Sequence, residues 1–195
     1  MEQNLTLLGK LTIPHHAREA YRQLLLLGFA GVPIARAGLR HESAAVRHYC
    51  CAFLDHFLVP EALPDLIGML HDPDPAVRLT TLHTLACDRC KEGACRPEEA
   101  AVLSAAVRLL QEDTDAHVRA MAVEAVGQYV HTNPLAEQAL VAAHTDDISP
   151  AVRKKAGWYA PGGPIFQRTA PRAPRKQGPR SHGKAQMGQP VSRVA

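Results

Sequence analysis

One stretch concentrates residues able to do chemistry. It reads Cys87-x2-Cys90-x4-Cys95, with His83 four residues ahead of the first cysteine. If a helix continues through it, His83, Cys87 and Cys90 stand at i, i+4 and i+7 on one face. Gly93 then lets the chain turn Cys95 back towards that face. Three thiolates and an imidazole suit a tetrahedral zinc site, although a single Cys-x2-Cys is only half of the two-pair zinc signature. Two other readings stay open. Cys90 and Cys95 form a redox pair, or His83 and Cys87 are ordinary helix residues while Cys90 and Cys95 are loop thiols. No cofactor is expected, and zinc is the ion the cluster would take.

Elsewhere the chemical signals are thinner. Cys50-Cys51 sits where a small core residue is wanted and reads as packing. His15-His16 stands near the start of a helix as a surface pair. The sequence holds no Walker loop, no Gly-x-Gly-x-x-Gly, no Gly-x-Ser-x-Gly and no His-Glu-x-x-His. The single tryptophan, Trp158, stands beside Tyr159. With Ile165 these two could cover the apolar end of a helical stack, or serve as an aromatic anchor for a partner. No catalytic residue is named, and no enzymatic activity is expected.

The elements that must position these residues follow from a repeat. His41-Glu-Ser-Ala-Ala-Val-Arg47, Asp72-Pro-Asp-Pro-Ala-Val-Arg78, Asp113-Thr-Asp-Ala-His-Val-Arg119 and Asp147-Ile-Ser-Pro-Ala-Val-Arg153 share one pattern. Their valines are 31, 41 and 34 residues apart, the period of helix-pair solenoids. Ser43, Asp74, Asp115 and Ser149 fill one slot and are good N-cap residues, whose side chains can accept from the free N–H groups of the first turn. Ala44, Pro75, Ala116 and Pro150 follow, at a position where proline is tolerated. Four residues after each valine comes a small residue, Cys50, Thr81, Ala122 or Ala156, which lets neighbouring helices approach. Segments 31–39, 61–70, 98–110 and 134–143 supply the partner helices, and 17–27 forms one more helix with no partner before it. The longest interval places the cysteine cluster in an insertion.

The Asp-x-Asp/Ser-x-x-Val-Arg core and the small residue after it resemble the HEAT repeat, in the bacterial HEAT-like type named after phycobilisome lyases. The resemblance spans about residues 39–158. It implies an all-α HEAT-like α-solenoid, a superhelix of antiparallel helix pairs. It also implies a structural ladder of loop Asp and Val-Arg side chains: Asp72, Arg78, Asp113, Arg119, Asp147 and Arg153. The cysteine insertion and the Trp-Tyr-Ala-Pro-Gly-Gly ending are similar to segments of bacterial HEAT-repeat proteins. A lyase activity follows from the family's name alone, with no bilin-handling motif beside it. The HEAT-like deoxyhypusine hydroxylases use repeated His-Glu pairs to hold iron, and here His41-Glu42 stands alone.

Charge divides the chain. Residues 1–164 carry 15 Lys+Arg against 19 acids, a net −4; residues 165–195 carry seven basic residues and no acid. The tail is rich in Pro and Gly and too poor in bulky apolar groups to offset its ordering entropy, which predicts disorder after the Pro161-Gly-Gly-Pro164 break. The expected organisation is a repeat domain over 1–164, with about four helix pairs and an N-terminal half-pair, then a basic disordered tail over 165–195. Five cysteines, an odd number, and no basic-then-apolar start over residues 1–14 predict a cytoplasmic protein with reduced thiols and no membrane segment. The expected function is a non-catalytic protein–protein interaction scaffold or adaptor using the solenoid surface. The alternative is nucleic-acid association through phosphate contacts of Arg168, Arg172, Arg175, Lys176, Arg180, Lys184 and Arg193. Arg36, Arg40 and Arg47 could extend such a basic stripe onto the body.

Overall fold

The computed structural model describes residues 2–87 and 97–171, with side chains from residue 7 onward. Among the described residues the regular structure is helical throughout. The order is α1 (Glu2–Leu11), α2 (Pro14–Leu26), α3 (Val32–Gly38), α4 (Ala44–His56), α5 (Leu63–Gly68), α6 (Pro75–Ala86), α7 (Glu99–Glu112), α8 (Ala116–Gly127), α9 (Pro134–Asp146), α10 (Pro150–Tyr159) and α11 (Pro164–Thr169). Short 3-10 turns precede α3 and flank α5.

The helices pair as α3/α4, α5/α6, α7/α8 and α9/α10, and the second members α4, α6, α8 and α10 stack one on the next as a continuous layer. The repeat explains this packing. Val46, Val77, Val118 and Val152 are fully buried, and so are Cys50, Thr81, Ala122 and Ala156 one turn later. A small side chain at that slot brings successive second helices close, and one apolar core runs from Leu8 to Ala160. The fold is an all-α solenoid of antiparallel helix pairs.

Four expectations change. The helix near residues 17–27 has a partner after all: α1 lies against it, with Leu8 and Leu11 buried. The Pro161–Pro164 break is a tight turn and not the end of order. Gly162 takes φ +86°, and a Cβ on Gly163 would sit 2.3 Å from the Gly157 carbonyl oxygen. Glycine therefore lets the chain fold back closely enough for α11 to dock on α10, so helical structure crosses the boundary drawn at 164/165. Residues 172–195, most of the expected tail, lie outside the described residues. The helix bearing His83 ends at Ala86, with Cys87 extended at its C-cap, so the i, i+4, i+7 face through Cys90 does not form on α6. Finally, Asp74 accepts from the Ala76 N–H, and Asp115 from those of His117 and Val118, but Ser43 and Ser149 make no side-chain cap.

Candidate functional site

The loops before the second helices carry the ladder. Arg47 donates to Asp72 with Nε (2.6 Å) and Nη2 (2.9 Å), Arg78 to Asp113 (2.6 and 2.8 Å) and Arg119 to Asp147 (2.8 and 3.0 Å). Each arginine thus reaches forward into the next repeat. Its remaining Nη1 turns back to the loop of its own repeat, as in Arg78 to the Asp72 carbonyl at 2.8 Å and Arg119 to the Asp113 carbonyl at 2.8 Å. Each carboxylate also accepts the N–H of the residue two ahead: Asp74 on Asp72, Asp115 on Asp113, Ser149 on Asp147. In the first copy, the ring nitrogen of His41 accepts the Ser43 N–H in the same way. The bidentate fork suits arginine and would be lost with lysine. Arg153 ends the series, with Nη1 on the carbonyl oxygen of its own Asp147.

This geometry holds the charge states firmly. The Asp72, Asp113 and Asp147 bonds raise Arg47, Arg78 and Arg119, outweighing the opposing effect of burial. Burial alone would raise Asp113 and Asp147. Their arginine bonds and backbone N–H bonds more than offset it, and both fall below the ordinary carboxylate range. Arg47 therefore joins the residues of the ladder, and it is not part of a free basic stripe. Nor are its companions: Arg36 and Arg40 both pair with Asp65, at 2.6 and 2.7 Å.

The second helices present one face away from their partners. Three and six residues after each valine stand Tyr49 and Ala52, Thr80 and His83, Met121 and Glu124, Lys155 and Trp158, all but Thr80 at least partly exposed. Polar contacts tie neighbouring helices along it: His48 with Thr80 (2.9 Å), His83 Nε2 with Asp55 Oδ2 (3.6 Å), and Lys155 with Glu124 (2.5 Å). The rings of Tyr49 and Tyr21 lie 5.2 Å apart at one end. At the other, Trp158 is 40% exposed with Lys154 Nζ 5.9 Å from its ring centre.

The aromatic ending divides its labour. Tyr159 packs on the core and lies across Gly127, where a Cβ would meet its ring at 2.2 Å. Phe166, unforeseen in the sequence, packs there too and stacks on His131 at 4.4 Å. Ile165 is half-buried, and Trp158 stays open on the second-helix face.

Of the expected metal ligands, His83 and Cys87 come together, and the structure adds Asp55. One ligand atom from each lies within 4.8 Å of the others. Cys90 and Cys95 lie outside the described residues, so their zinc and redox readings are not placed. Asp55 escaped the sequence reading because it comes from the preceding repeat, at a slot where the other copies hold Ala86, Gly127 and Pro161. Of the tail cations, Arg168 is exposed on α11, and Arg172, Arg175, Lys176, Arg180, Lys184 and Arg193 lie beyond the described residues.

No helix among the described residues is long and apolar enough to cross a membrane. A family model described as HEAT repeats matches residues 32–100. No curated protein matches the sequence. Among solved structures, the chain is similar to the complex of CpcE and CpcF of phycocyanin lyase from Nostoc sp. PCC7120. The TM-score is 0.61 at 23% identity, covering 78% of this chain and 95% of that one. It is also similar to a designed armadillo repeat protein in complex with a (KR)4 peptide, with TM-score 0.51, 21% identity and 79% of each chain covered. An engineered protein matches with TM-score 0.50 at 22% identity, over 80% of this chain and 77% of that one. Repeat pattern, helix stacking and these likenesses agree on the fold, an α-solenoid of the HEAT-like type.

Proposed function

We propose that the protein is a non-catalytic scaffold or adaptor that holds another protein on the face of its second helices, acting in the cytoplasm. The observation that carries this reading is the continuity of that face. Four stacked helices present the partly exposed Tyr49 and Met121 and the exposed Trp158 among Glu124, Lys154 and Lys155, a mix of aromatic and apolar anchors with a charged surround. The forward-reaching ion pairs are occupied in holding repeat to repeat. The thiols of Cys50 and Cys51, pushed up to about 12 by burial, offer no nucleophile at neutral pH. Two solenoids of similar fold were solved with protein or peptide partners, which supports the same use here.

The test is an affinity capture from the native cell after nuclease treatment. It compares wild type, a face variant (Met121→Lys with Trp158→Ala) and a variant of the opposite layer, Val141→Asp on α9. A nuclease-resistant protein retained by wild type and by Val141→Asp, but lost from the face variant, is the expected result. A partner held equally by all three would move the binding surface off the second helices and overturn the proposal.

A further inference from the structure

The junction between α4 and α6 contains a carboxylate that the described residues leave poorly satisfied. Asp55, on the last turn of α4, is only 7% exposed. Among the described residues its Oδ1 has no hydrogen-bond partner. Its Oδ2 faces His83 Nε2 at 3.6 Å, beyond good hydrogen-bond range. A buried carboxylate with an idle oxygen is destabilising unless something positive completes it. The same small volume is lined by the imidazole of His83 and the thiol sulfur of Cys87, each donor within 4.8 Å of the other two.

We propose that Asp55, His83 and Cys87 form a zinc site that joins the first repeat to the second. The donor chemistry selects the ion. One oxygen, one nitrogen and one sulfur suit zinc, whereas calcium and magnesium require oxygen shells. Zinc bonds of about 2.0–2.3 Å place tetrahedral donors roughly 3.3–3.7 Å apart, so closure needs only a modest convergence of side chains. The exposed flank of His83 provides the entry path: its side chain is 49% exposed while that of Asp55 is 9% exposed. Bound there, the ion neutralises Asp55 and pins the extended residue after α6 against the end of α4. This site is independent of the binding reading above, and stands or falls separately from it.

The test uses the full-length protein, stripped with chelator under reducing conditions. Zinc binding is quantified by equilibrium dialysis with metal analysis, and cobalt(II) serves as the visible probe. One equivalent of zinc is expected, with a thiolate-to-cobalt charge-transfer band that Cys87→Ser removes. Asp55→Asn and His83→Gln should each weaken zinc binding by at least about tenfold, the order expected when a site loses a supporting group. His83→Gln changes an exposed side chain and keeps the test valid if Asp55→Asn fails to fold. The double variant Cys90→Ser, Cys95→Ser should still bind one equivalent. The proposal is overturned by an absence of stoichiometric zinc, by binding indifferent to both Asp55→Asn and His83→Gln, or by loss confined to the double variant.

Discussion

A single ladder arginine couples two repeats through four hydrogen bonds. Asp113 and Arg78, with side chains only 3% and 13% exposed, show what breaking one rung would do. Asp113→Ala strands a guanidinium and frees the Asp115 N–H, and should lower stability by about 3 kcal/mol. Arg153→Ala, at the end of the series, loses a carbonyl contact and should cost about 1 kcal/mol. Urea titration of both variants tests the ranking; equal losses would deny the forward coupling. The same carboxylates set an acid limit. Asp113 and Asp147 have native pKa values below the unfolded value of about 3.9, so their contribution is full above roughly pH 4 and is lost as pH falls through the native values. The urea midpoint should therefore fall as the pH drops below about 4, and fall less in Asp113→Asn. The Asp and Arg slots were legible because three copies repeat them. Arg47 was hidden, since its own copy carries His41 and its partner lies in the next. Asp55 was hidden for a related reason: contacts between repeats join residues that no single copy of the pattern contains.

At the scale of the element, helix starts were more legible than helix ends. All four second helices begin where the repeat predicts, yet by two mechanisms. Asp115 accepts two N–H groups of the first turn, whereas Ser43 accepts none and its own N–H is held by His41. Asp115→Ala should thus cost about 1 kcal/mol, and Ser43→Ala only a few tenths, as read from thermal or urea midpoints. A Ser43→Ala loss as large as that of Asp115→Ala would contradict the observed geometry. Ends were harder, because they are set by what packs on them. The Pro-Gly-Gly-Pro stretch reads locally as a stop, but Gly162 and Gly163 bend the chain back and Phe166 finds the core. Helix α1 escaped notice because its short apolar spacing gains meaning only once α2 and α4 are beside it.

Across the whole molecule, one core serves every repeat, so a defect in any repeat should spread. Val118 is fully buried midway along it. Val118→Asp places an unpaired carboxylate there and should remove about 4 kcal/mol or more, while Val141→Asp, on an exposed position of α9, should stay within about 0.5 kcal/mol. Circular dichroism during urea unfolding separates the two, and a Val118→Asp protein as stable as wild type would refute the register of the stack.

The forward reach of the ladder also bears on self-assembly. Identical modules that each grasp the next make a directional chain, and nothing in a rung tells it to stop growing. Among the described residues, the first and last copies of the pattern differ from the inner ones. The first copy's loop offers His41, whose ring nitrogen accepts the Ser43 N–H and which has no carboxylate to receive a guanidinium fork. At the trailing end, Arg153 is turned onto its own loop, and the packed Tyr159 and Phe166 close the apolar edge. Before the first copy's loop the stack is covered by α1 and α2, which pack against each other and against α4. The ladder thus runs through three rungs, Arg47–Asp72, Arg78–Asp113 and Arg119–Asp147, and its outermost copies are built differently from the inner ones.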